Sequence, residues 1–117
     1  MGQDAQTTAP ESVENWVLVE TFFLDLVGKL PDLDGMFFLV GLQELGKGLG
    51  SFSKEEKQDI IAIGTCAVLL HGGYYSLIGR DADGWPMYEL LMPLPVLALD
   101  GQERFLKESM VRYIVSL

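Results

Sequence analysis

Apolar residues recur every three or four positions at the start of the chain. Trp16, Val19, Phe23, Leu26 and Leu30 make one stripe, and Glu14, Thr21, Asp25 and Gly28 line another side. That period predicts a helix over 11–30 with a wide buried face. The early acids Glu11 and Glu14 and the late Lys29 suit its dipole. Pro31 is expected to stop it.

The next apolar run, "MFFLVGL" over 36–42, is continuous. Periodicity does not separate a buried strand from a buried helix there. A cap at Asp32 or Asp34, the helix formers of "LQEL" and glycines at 46, 48 and 50 favour a helix over 35–45. Ser53 and Glu56 then spell a capping box. The helix they open is apolar nearly all round from Ile60 to Leu70, and His71 falls in its last turn ahead of two glycines. The expected core is built by this third helix with the first and last ones.

Residues 73–91 change pattern. Tyr74, Tyr75, Ile78, Trp85 and Tyr88 favour strand, and "DADG" marks a tight turn. The expectation is a β-hairpin. Simple alternation places Tyr75, Leu77, Tyr88 and Leu90 on one face and Ile78, Arg80, Met87 and Glu89 on the other. Pro86 restricts its strand to a sheet edge. Pro93 and Pro95 keep "MPLPVLAL" extended. A last helix is expected to begin at a cap on Asp100, supported by Glu103. Its stripe is Leu106, Met110, Tyr113, Ile114 and Leu117, with favourable pairs Glu103–Lys107 and Glu108–Arg112. The fold class is therefore α+β, predominantly α: four helices and one hairpin between the third and fourth. Residues 1–10 read as a flexible tail and 11–117 as a single globular domain.

Composition changes this picture in one respect. The chain of 117 residues has a formal charge of -9, and residues 1–34 hold seven acids against Lys29 alone. Such a surface repels phosphate backbones and anionic membranes, so neither nucleic acid nor a membrane is the expected partner. No apolar run is long enough to span a bilayer. The single cysteine, Cys66, allows no internal disulfide and favours a reducing compartment. No signal peptide is visible, and "MGQDAQT" misses a myristoylation signal because Gln6 stands where a hydroxyl is needed. A cytoplasmic location is expected.

Candidate chemistry is sparse. Gly41–Lys47 spells G-x-x-x-x-G-K, but Gly48 stands where a phosphate loop needs a Ser or Thr for Mg²⁺. The glycine-rich run also starts a helix poorly. "PVLALD", a decoy for the second nucleotide motif, follows two prolines and ends in an expected cap. "DADG" resembles half a calcium loop, yet Gly79 and Leu90 fall where acids are required. His71 is the only histidine. It lies about 140° around the helix from Cys66, so the two share no face. The thiol sits in an apolar run, where it is expected to be buried and inert. No G-x-S-x-G occurs. The pattern implies no metal, no cofactor and no catalytic residue.

The constellation that remains is the hairpin with its neighbour: Tyr74, Tyr75, Arg80, Asp81, Asp83, Trp85, Tyr88 and His71. Aromatics, an arginine and acids at a protruding turn match the composition of interaction hot spots. The structural alternative is that these aromatics fasten the hairpin to the helices. The functional expectation is a non-catalytic acidic intracellular protein. It works through protein–protein contacts and self-associates through a wide apolar helix surface or the hairpin. The alternative is a small-molecule binder or minor enzyme with a pocket under the hairpin, near Tyr75, Tyr88 and His71.

Overall fold

The computed structural model describes residues 15–117. The expected tail and the first residues of the expected first helix lie outside them. Among the described residues are four helices and one two-stranded hairpin. They are α1 (Trp16–Val27), α2 (Leu33–Leu45), α3 (Lys54–Leu70), β1 (Tyr75–Arg80), β2 (Pro86–Leu90) and α4 (Leu99–Val115). The chain divides into two compact units. One pairs α1 with α4, and the other holds α2, α3 and the hairpin.

α1 ends three residues earlier than the approach of Pro31 predicts. Gly28 takes a left-handed φ of 82° and its N–H donates to Leu24 O, which closes the last turn. Glycine adopts that conformation without a Cβ penalty, so it wins over a proline three residues on. Val19 and Phe23 are buried on α1, and Ser109, Met110, Val111 and Tyr113 on α4. Lys107 ties the pair together: it lies 5.3 Å from the Trp16 ring centroid while bonded to Glu103 at 3.1 Å. The start of α4 corrects the expected cap. The helix begins at Leu99 after an extended Ala98, and Asp100 lies inside its first turn, where Oδ1 accepts from Gly101 N at 2.9 Å. Leu117, expected in the buried stripe, is exposed.

The middle unit follows the sequence signals closely. The ambiguous run over 36–42 is helical. Asp32 caps α2 by accepting from Gly35 N at 2.7 Å, and its far end closes with Lys47 N–H on Leu42 O at 2.9 Å. The Gly41–Lys47 motif is therefore a helix end and no phosphate loop. Ser53 and Glu56 form the capping box of α3, at 3.1 Å and 2.8 Å. α2 also contributes more core than expected: Met36, Phe37, Val40 and Leu42 are buried, alongside Ile60, Ile63, Ala67, Val68 and Leu69 of α3.

Two helix-interior glycines let α2 and α3 approach backbone to backbone. A Cβ on Gly64 would collide with the carbonyl oxygen of Phe37 and stand 2.9 Å from Gly41 N. A Cβ on Gly41 would collide with the carbonyl oxygen of Ile60. Each glycine thus faces the residue four positions before the other.

Candidate functional site

The hairpin is shaped from its turn outward. Asp81 N–H donates to Trp85 O at 2.9 Å, and Gly84 N–H donates to Asp81 O at 3.0 Å. Gly84 has a φ of 86°, which a turn ending in the left-handed region requires. The Asp81 carboxylate fixes the loop by accepting from the N–H groups of Asp83 and Trp85, both at 2.9 Å. Arg80 reaches out of the turn: Nη1 donates to Gly84 O at 3.0 Å and to Glu44 O at 3.2 Å. The second bond places a cation at the C-terminal end of α2, where the helix dipole favours it. At the other end, Tyr74 N–H donates to Leu69 O at 3.2 Å and Leu91 N–H to Tyr74 O at 2.8 Å, so the hairpin hangs directly from the end of α3.

Strand register corrects one expectation. Tyr75 pairs with Leu90, Ser76 with Glu89 and Leu77 with Tyr88, but then Gly79 pairs with Met87 and Arg80 with Pro86. Ile78 is the extra residue of a bulge. It shifts the alternation of β1 by one, so Arg80 moves off the face of Met87 and Glu89 and joins Tyr88 and Pro86. The two faces then differ. The inner face, with Tyr75, Tyr88 and Pro86, turns toward α3. Pro86 is buried, and the tyrosine rings meet edge to face at 6.5 Å. The outer face carries Ser76, Ile78, Met87 and Glu89, and Leu91 continues its row.

Cys66 joins the inner face, which sequence reasoning missed. The thiol is half-buried, not a core group, and the Tyr75 hydroxyl donates to it. Burial pushes the Cys66 thiol up, and that hydrogen bond opposes the push in part. Tyr75 is raised too, first by burial and then by Cys66. Both groups are neutral near pH 7, so the thiol is a weak nucleophile here. The detectable signal was a strand tyrosine following closely on the last turn of α3.

Of the predicted site residues, Tyr75 and Tyr88 come together, Arg80 and Asp81 are engaged by backbone groups, and Trp85 is half-buried beside the turn. Asp83 is exposed at the tip. His71 caps the end of α3, its N–H donating to Val68 O at 3.2 Å. Four apolar side chains of the hairpin region are exposed: Leu77 is 44% exposed, Ile78 59%, Leu90 51% and Leu91 57%. Their signal was available, because apolar residues occupy both alternating rows of the strands.

Among the described residues no helix is long and apolar enough to cross a membrane. No protein-family model, curated protein or solved structure matches the chain.

Proposed function

We propose that the protein acts without catalysis, as a cytoplasmic interaction protein that self-associates through α1. The observation that carries this reading is the helix's coat of apolar side chains. Val19 and Phe23 are buried, yet Leu18 is 53% exposed and Leu26 57% exposed. Leu18, Phe22 and Leu26 are spaced four apart, so they form one ridge beside the buried pair. A helix that is apolar nearly all round is ordinarily covered. Burying a leucine fully contributes about 1.5–3 kcal/mol, so each half-exposed one retains roughly 1 kcal/mol to gain. A second copy's α1 seated on this ridge extends the core that Val19 and Phe23 begin. The helix's described charges, Glu20 and Asp25, are both acidic, so added salt strengthens the association by screening them.

Sedimentation equilibrium of the whole chain over a wide concentration range tests this. A reversible dimer is expected, and Leu18→Glu with Leu26→Glu converts it to a monomer of unchanged helical content. A wild-type chain that stays monomeric at the highest concentration ends the proposal.

A further inference from the structure

The outer face of the hairpin joins exposed apolar side chains to an acid with no base beside it on the strands. Ile78, Met87 and Leu91 are exposed apolar side chains on it, and Glu89 stands between the last two along the strand. Asp83 is exposed at the adjoining turn. Regular alternation would also place Arg80 here, opposite in sign to Glu89. The bulge at Ile78 removes it to the other face, where its guanidinium donates to the carbonyls of Glu44 and Gly84. The outer face is left with apolar anchors, negative charge and no base of its own. The unit around it, residues 31–94, holds nine acids against four bases.

We infer that this face binds a protein segment in which a lysine or arginine is flanked by large apolar residues. The cation meets Glu89, and the apolar flanks cover Ile78, Met87 and Leu91. The same face of a second copy does not suit it, because pairing two such faces brings like-charged Glu89 side chains together with no base on either face to offset them. The inference rests on reading the protein as an interaction protein, but not on the α1 dimer. The two surfaces respond to salt in opposite directions: the dimer tightens as salt rises and the hairpin complex weakens.

The probe is a synthetic amphipathic leucine–lysine peptide, with a leucine–glutamate peptide of the same pattern as its control. Amide chemical shifts of the whole protein map the site. The Trp85 signal in a Trp16→Phe background gives the affinity. The lysine peptide is expected to move the amides of Ser76, Ile78, Met87, Glu89 and Leu91. Its affinity should fall about tenfold or more in Glu89→Lys. Asp59→Lys, an equal charge change on the exposed N-terminal half of α3, should alter it by less than about twofold. Three results overturn the inference: equal losses from Glu89→Lys and Asp59→Lys, comparable binding of the glutamate peptide, or shifts that avoid the outer face. Concentration-dependent shifts at Ile78 and Met87 without peptide overturn it as well, since a second copy would then be the occupant. Loss of the α1 dimer in Leu18→Glu with Leu26→Glu, with peptide binding intact, separates this inference from the self-association reading.

Discussion

Gly64→Ala tests whether the backbone contact between α2 and α3 sets the stability of the middle unit. In an ordinary helix interior the change stabilises by about 0.5–1 kcal/mol, because alanine loses less conformational freedom on folding. Here the new methyl meets the Phe37 carbonyl oxygen, stands 2.8 Å from Phe37 C and lies 2.9 Å from Gly41 N. All three are backbone atoms, so no rotamer change makes room. The helices must move apart, and Phe37, Ile60 and Ile63 lose packing as they do. Forcing a methyl into a filled core costs about 1–3 kcal/mol. After the gain in propensity is subtracted, a net loss of roughly 1–2 kcal/mol is expected. That is a large share of a stability of about 5–15 kcal/mol.

The assay is urea unfolding followed by tryptophan fluorescence. Trp16 lies in the α1–α4 unit and Trp85 in the middle unit, so a Trp16→Phe background reports the relevant one. Gly41→Ala should behave like Gly64→Ala, and the double variant should lose less than the sum of the two, because one separation of the helices relieves both clashes. At Gly48 an added methyl would meet nothing within 4 Å, so Gly48→Ala should stay within about 0.5 kcal/mol of wild type. A Gly64→Ala protein as stable as wild type, or more so, refutes the reasoning.

Three further outcomes follow from single contacts. Ser53→Ala removes one half of the capping box of α3 and should lower the urea-unfolding free energy by about 1 kcal/mol. Arg80→Met leaves the Glu44 and Gly84 carbonyls without their shared donor. Amide hydrogen exchange across β1 and β2 should then accelerate while α3 keeps its protection, and unchanged hairpin protection would show that the arginine fastens nothing. Cys66 and Tyr75 both hold their protons more tightly folded than unfolded. As pH rises the unfolded chain releases these protons first, so it binds fewer of them, and stability declines. The contribution is complete below the ordinary thiol range near pH ~8.5 and is lost as pH climbs through the raised values. Urea midpoints between about pH 7 and 10.5 should fall for wild type and fall less steeply for Cys66→Ser.

Local signals carried most of the fold. The box at Ser53 and Glu56 was legible because capping involves four consecutive residues and little else. The helix over 36–42 was legible only through its flanks, Asp32 and Gly46, since an apolar run has no period to read. What escaped depended on partners distant in sequence. Asp100 has the chemistry of a cap, but Ala98 already sits in the extended conformation that precedes a helix, and Gln102 Nε2 donates back to Leu97 O at 3.0 Å. The choice between a helix and the hairpin as the uncovered apolar surface stayed open, because periodicity identifies an apolar side without saying whether anything covers it.

Glycine was the clue most readily misread. Gly41 drew attention as the first letter of a phosphate-loop motif, yet its position inside a helix was the more informative fact. A helix-interior glycine costs about 1 kcal/mol, so two of them in facing helices call for a compensating contact. The structure supplies it in the mutual approach of Gly41 and Gly64. Gly79 carried a parallel message. An isolated glycine inside a strand often marks a bulge, and here it follows the inserted Ile78 directly. Reading it so would have moved Arg80 to the inner face from the sequence alone. The outer face would then have shown its acid without a base, which is the feature on which the proposed partner chemistry depends.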